Sequence, residues 1–267
     1  MGKYDLIIIA GQSNAAGCGF GPAPEDYETD ERLLCICAEP QEYTDDAGKF
    51  AIRFLAGDTP TIRVADELRG GTVRFGDISL TFAREYIKAG LLAPDRKILI
   101  ARCGVGGTGF VTHFWNPGES CREMMHKLID IGLHSGDDVR PIALLWHQGE
   151  NEAFEGNLPD TYYEQLTELI ESVNAQCHTD ALPFICGGFC KEWADKYRKQ
   201  CDAILEVLRR VGEENGAYVE TEDLLSNNQK NGNGDDIHFC RESLQILGKR
   251  YFEAYRRLAA KREIAGS

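Results

Sequence analysis

The sequence lacks any apolar run near its start long enough to cross a membrane. The longest there, Leu6 to Ala10, is far short of the ~20 residues that a spanning helix needs. It also lacks a run of lysine or arginine, and its formal net charge is −14. An acidic surface repels phosphate backbones and anionic lipid, so nucleic acid and membrane surfaces are not expected partners. The opening residues MGKYDL carry no apolar signal region and lead straight into a strand. The expected location is the cytoplasm, or outside it for a chain whose export signal has been removed. The ten cysteines contain no CxxC pair with zinc spacing. Cys186 and Cys190 have no second pair to complete a site. They read as reduced structural thiols, which favours a reducing compartment. Neither an internal repeat nor a low-complexity segment occurs.

What is present is the material of an ordinary globular protein. The chain has 267 residues, 43% hydrophobic and 27% charged, enough to bury a sizeable core. Apolar strand-like runs at Tyr4–Ala10, Lys97–Arg102, Pro141–Trp146, Pro183–Cys186 and Ala217–Glu220 alternate with helix-period segments. Those segments are Ser79–Ala89, Ser120–Leu133, Tyr162–Ala175, Tyr197–Val211 and Ser243–Leu258. This alternation predicts an α/β fold, a parallel sheet with helices on both faces. Residues 20–75 break the rhythm. Their two strand-like pieces, Leu33–Ala38 and Phe50–Ala56, read as an insertion decorating the catalytic face of a single domain that spans residues 1–267. Ser226 to Asp236 reads as a loop, with Gly232 and Gly234 as turn residues.

In open parallel sheets, ligands bind beyond the carboxyl ends of the strands. Gly11-Gln12-Ser13-Asn14 follows the first run, the glycine-rich segment Gly104–Gly109 the second, and His147-Gln148-Gly149-Glu150 the third. Asp235-Asp236-Ile237-His238 precedes the last helix. Four distant segments therefore converge on one edge. A serine hydroxyl is a weak nucleophile until a base takes its proton. His238 is the natural base for Ser13, and Asp235, three residues earlier, can orient its ring. Gly106 or Gly107 can bring a backbone N–H to a developing oxyanion, and Gln148 can add an amide donor.

Each motif also has a plainer reading. A serine after a strand is most often a helix N-cap, and a histidine before a helix is most often structural; it is the conjunction of four segments that favours catalysis. Gly104–Gly109 fits GxGxxG, but the aromatic, proline-ended stretch Val111–Pro117 that follows is a poor first helix for a pyrophosphate site. His147 with Glu150, or Asp235 and Asp236 with His238, form no complete metal pattern. No metal or cofactor is expected. His113, after the glycine loop, is the remaining histidine of interest.

These motifs resemble those of the SGNH hydrolase superfamily. Within it, the sequence is similar to the sialate O-acetylesterase-like group that includes the carbohydrate esterase family 6 acetyl xylan esterases. GQSN at Gly11–Asn14, GGT followed by Trp115, HQGE at His147–Glu150 and DDIH at Asp235–His238 carry the resemblance in the group's order. The second glycine of a GxSxG elbow is replaced by Ala15, which separates the chain from the α/β-hydrolases. The resemblance implies a flavodoxin-like three-layer α/β/α sandwich with a central parallel sheet. It also implies hydrolysis of O-acetyl esters on a sugar or oligosaccharide through an acetyl-serine. It assigns Ser13 as nucleophile, His238 as base, and the oxyanion hole to Ser13, the Gly106 region and Gln148. Both Glu150 and Asp235 match the group's acids, so the orienting carboxylate is open between them. Gln12, Asn14, Gly107, Trp115 and Asn151 are the candidate substrate contacts. The chain reads Asn151-Glu152 where the group often has Ser-Asp. Two other readings keep the same fold: a broad short-chain acyl esterase, and a non-catalytic carbohydrate-binding module.

Overall fold

The computed structural model describes residues 2–22, 28–38, 41–44, 50–53, 60–66 and 76–266. Its architecture follows from the first strand, β1 (Gly2–Gly11), in which every residue from Leu6 to Gly11 is buried. A strand apolar on both faces requires neighbours on both edges and helices above and below. The elements that follow are α1 (Ser13–Ala16), β2 (Leu33–Cys37), β3 (Gln41–Thr44), β4 (Phe50–Arg53), β5 (Thr61–Val64) and α2 (Ile78–Lys88). Next come β6 (Lys97–Gly104), α3 (Ser120–Leu133), β7 (Gly136–His147), α4 (Glu150–Glu155) and α5 (Pro159–Gln176). The chain finishes with β8 (Phe184–Gly187), α6 (Lys191–Lys196), α7 (Arg198–Asn215), β9 (Gly216–Val219), α8 (Asn227–Asn231) and α9 (Arg241–Gly266).

The central sheet runs β5-β2-β6-β1-β7-β8-β9, parallel throughout except for the antiparallel edge strand β5. Side chains alternate across it. Leu6, Ile8 and Ala10 join one core with residues of α3, α5 and α7, such as Leu128, Leu169 and Leu208. Ile7 and Ile9 join the other with α2 and α9, through Phe82, Leu247 and Tyr251. The three-layer α/β expectation therefore holds.

Residues 20–75 depart from expectation. The piece read as surface decoration supplies β2, which lies in the sheet between β6 and β5. The reason is burial: Leu33, Cys35 and Ile36 are completely or nearly completely enclosed, and a short strand buried on both faces is held by pairing on both edges. Phe50–Arg53 pairs with β3 in a separate two-stranded sheet; residues 54–56 of that expected strand lie outside the described residues. The expected loop at Ser226–Asp236 contains α8, because Ser226 and Gln229 form a capping box that satisfies two otherwise orphaned N–H groups.

None of the ten cysteines forms a disulfide, and eight of them are buried. Burial pushes Cys177 up to about 11 and Cys190 up to about 12, so these thiols stay protonated and inert. At the amino edge of the sheet, buried Arg96 donates Nε–H to Asp5 Oδ1 at 2.7 Å. Its other donors reach Asp138 and the Tyr4 carbonyl. The Tyr86 hydroxyl donates to the second Asp5 oxygen at 3.1 Å. No helix among the described residues is long and apolar enough to cross a membrane.

Candidate active site

Three of the four segments leave adjacent strands of the sheet at the same level. Gly11 pairs with Gly104 on one side and His147 on the other. Gly11 has a φ of +135°, and a Cβ there would lie 2.2 Å from the His147 carbonyl oxygen. Only glycine lets β1 turn so close to β7. The turn delivers Ser13 as the first residue of α1, 7% exposed. Its hydroxyl and backbone N–H make no hydrogen bond with any described residue. A Cβ on Gly106 would lie 3.6 Å from the Ser13 Cβ, so the glycine loop stands directly over the serine side chain. The Gly106 N–H likewise has no protein acceptor among the described residues.

The fourth segment is pinned to the first by Asn14. Its Nδ2 donates to the Ile237 carbonyl at 3.3 Å, and its Oδ1 accepts the Phe239 N–H at 3.1 Å. The two residues flanking His238 are thus tied to the residue that follows Ser13. The His238 Nδ1 lies 2.8 Å from Asp235 Oδ1, which also accepts the His238 backbone N–H at 3.3 Å. The other Asp235 oxygen accepts from Asn227 Nδ2 at 2.9 Å. With Nδ1–H donated to a carboxylate, Nε2 carries the lone pair, and no described residue bonds to it.

Of the two candidate acids, Asp235 is therefore the one in contact with the imidazole. Glu150 is fully buried, and its Oε1 accepts from Asn14 Nδ2 at 3.0 Å. Its Oε2 has no hydrogen-bond partner among the described residues. Burial pushes the Glu150 carboxyl above the usual carboxylate range; the Asn14 bond and the His238 charge oppose this only in part. His147 is also buried, and burial pushes it down to about 3, which keeps it neutral. Its Nδ1 donates to the Tyr251 hydroxyl at 3.0 Å, which in turn donates to the Trp146 carbonyl. The HxxE pair is thus divided between two separate networks. No cluster of three or more ligating side chains occurs among the described residues.

The expected contact residues fall into two groups. Gly107 and Asn151 lie at the rim, joined by a 2.7 Å bond from Asn151 Nδ2 to the Gly107 carbonyl. Gln12, Asn14, Trp115 and Gln148 are buried, with side chains bonded within the protein. Gln12 Oε1 accepts the Gly149 and Asn151 N–H groups. Trp115 donates to Thr108 Oγ1 within the core. Gln148 donates Nε2–H to Glu152 at 2.8 Å and accepts from the Tyr162 hydroxyl at 3.1 Å. Its Nε2 also lies 3.5 Å from the Thr108 carbonyl, whereas the Ser13 and Gly106 N–H groups meet no acceptor among the described residues. Gly104–Gly109 opens no helix, since α3 begins only at Ser120, so the pyrophosphate reading loses its anchor. His113 is exposed and pairs with Glu119.

Sequence reasoning passed over Glu152 and Asn227. The Glu152 carboxylate is buried and accepts the Phe110 and Val111 N–H groups as well as the Gln148 and Asn157 amides. It therefore holds the end of the glycine loop against α4. Its one signal was the departure at Asn151-Glu152, an acid four residues after Gln148.

The family model described as carbohydrate esterase, sialic acid-specific acetylesterase, matches residues 3–257. Among solved structures, NanS superposes with a TM-score of 0.75 at 15% identity, covering 97% of this chain and 98% of its own. A protein from Arabidopsis thaliana follows at 0.67 and 18%, covering 95% and 98%. A carbohydrate acetylesterase from Xanthomonas citri reaches 0.63 at 17%, covering 96% of this chain and 56% of its own. These likenesses are likenesses of fold. No curated protein matches the chain in sequence.

Proposed function

The chain belongs to the carbohydrate esterase family of sialic acid-specific acetylesterases, carboxylic ester hydrolases that deacetylate carbohydrates, and from that premise we propose that Ser13, His238 and Asp235 are its catalytic triad. The observation that carries the proposal is the Asn14 bridge. It ties both neighbours of His238 to the segment holding Ser13, while Asp235 fixes the ring with Nε2 free.

In this reading the Ser13 Oγ attacks the acetyl carbonyl carbon as its proton passes to His238 Nε2. The carbonyl oxygen becomes an oxyanion between the N–H groups of Ser13 and Gly106, each contributing about 3 kcal/mol of selective stabilisation. Asp235 stabilises the imidazolium. The bond to the sugar oxygen then breaks, and that oxygen leaves with the proton from Nε2. Water, activated by the same nitrogen, attacks the acetyl-serine and releases acetate. Glu150 acts through Asn14 as a positioning residue, since its Oε1 accepts from that amide.

The substrate is proposed as an acetylated sugar or oligosaccharide. An acetate-release screen over an O-acetylated sialoside, acetylated xylo-oligosaccharides and matched butyryl esters tests this. Acetyl sugar esters should turn over fastest, and a serine-directed phosphonate should label Ser13. Preference for non-sugar butyryl esters would favour the broad esterase. Saturable glycan binding without turnover or labelling would leave the non-catalytic module.

A further inference from the structure

Three of the six large apolar side chains exposed among the described residues, including the two most exposed, belong to α4 and the segments that follow it or pack against it. Phe154 is 66% exposed at the end of α4, and Leu158 is 68% exposed in the turn that follows. Tyr197, 39% exposed, lies between α6 and α7. The Phe154 and Tyr197 rings meet edge to face, with centroids 6.3 Å apart. Tyr197 in turn lies 5.4 Å from the Trp193 ring, and Trp193 packs edge-on against Phe189 at 5.7 Å. Trp193 and Phe189 are buried.

This aromatic ladder is rooted in the site. The Phe189 ring would lie 2.9 Å from a Cβ on Gly149, the residue before Glu150. Phe154 is one helical turn beyond Glu150, on the same helix as the rim residue Asn151. Lys196, adjacent to Tyr197, pairs with Asp236 in the loop that carries Asp235 and His238. The exposed end of the ladder therefore stands between α4 and the His238 loop.

We propose that Phe154 and Tyr197 form a stacking platform for a sugar ring of the substrate, a subsite beside the acetyl-transfer centre. The C–H face of a sugar ring is apolar while its edge carries hydroxyls. It suits an aromatic face bordered by polar groups, here Asn151 and the Lys196–Asp236 pair. The proposal rests on the carbohydrate esterase reading above. A second protein copy is a poorer occupant. The three exposed side chains offer on the order of 300 Å², well below the ~800 Å² per partner of a stable interface. The net charge of −14 also opposes self-association.

The test compares kcat/KM on two sugar esters, an O-acetylated sialoside and an acetylated xylo-oligosaccharide, with kcat/KM on para-nitrophenyl acetate. In Phe154→Ala and Tyr197→Ala the ratio of sugar ester to aryl ester should fall about tenfold, mainly through a higher KM for the sugar ester. Phe154→Trp should hold the ratio within about threefold, because it restores a flat ring. Leu91→Ala removes another exposed apolar side chain, from the loop before β6, and should leave both activities unchanged. A constant ratio in both alanine variants, or a parallel loss on both substrates, overturns the platform while leaving the esterase reading intact. Light scattering that shows a dimer dissociated by Phe154→Ala assigns the patch to self-association and overturns it too. A wild-type enzyme that cleaves the aryl ester but neither sugar ester removes the premise as well as the platform.

Discussion

The two edges of the central sheet both bury charged groups, and they treat them in opposite ways. At the amino edge every strong partner is satisfied. Asp5 receives Arg96 on one oxygen and the Tyr86 hydroxyl on the other. Arg96 spends its remaining donors on Asp138 and the Tyr4 carbonyl. At the carboxyl edge three groups are left incomplete. Among the described residues the Ser13 hydroxyl and His238 Nε2 have no partner, and Glu150 Oε2 is buried without one. A saturated network rigidifies the fold, whereas unsatisfied polar groups in a cleft are what a bound substrate can complete.

The comparison is broken most severely at Ser13. Ser13→Ala should lower acetate release by at least about 10³-fold with no loss of thermal stability, since the hydroxyl bonds to none of the described residues. Retained turnover in that variant sinks the nucleophile. Asp235→Asn comes next. It leaves an amide where the imidazole needs a carboxylate, so kcat should fall by about 10³-fold with KM little changed. A larger loss in Glu150→Gln than in Asp235→Asn would move the orienting acid to Glu150.

At the opposite edge the same kind of change should strike stability and spare chemistry. Arg96→Met strips the buried Asp5 of its cation and should cost about 3 kcal/mol in denaturant unfolding. The folded fraction should keep kcat within about threefold. A selective collapse of kcat would show that the two edges are coupled.

The smallest effect concerns the buried Glu150. Burial raises the Glu150 carboxyl above its unfolded value. The folded state therefore holds that proton more tightly, and its contribution to stability is complete below the unfolded value. That contribution is lost as pH rises through the folded one. Gln cannot ionise and keeps an oxygen for the Asn14 bond. Glu150→Gln should thus gain Tm over wild type at pH 8, by a few degrees, with the gain vanishing near pH 4. Activity should fall about tenfold through loosened positioning of His238. An equal Tm difference at both pH values would show that Glu150 carries no buried charge.

Much of this was legible because strand ends are punctuated. Ser13, the glycine loop, His147–Glu150 and Asp235–His238 each sit at a break between an apolar run and a polar segment, and the parallel topology sends such breaks to one edge. The unread part concerned side-chain direction. GQSN and HQGE mark Gln12, Asn14 and Gln148 as important without saying whether they face substrate or protein. All three are turned inward, each toward a different protein partner: Gln12 to the N–H groups at the start of α4, Asn14 to the residues flanking His238 and to Glu150, and Gln148 to Glu152 and Tyr162. The β2 strand was misplaced for a similar reason. Its five residues are flanked by polar and glycine-rich chain, and nothing local says that they pair with β6.

The sequence by itself determined the α/β layering and the four segments that make the site, since hydrophobic period and glycine placement are local properties. Only the tertiary structure decided which carboxylate meets His238, that Gln148 serves the protein, and that Phe154 comes to rest against Tyr197. Those outcomes depend on where side chains from distant elements end up. A buried polar group takes whatever partner the packed fold brings within about 3 Å.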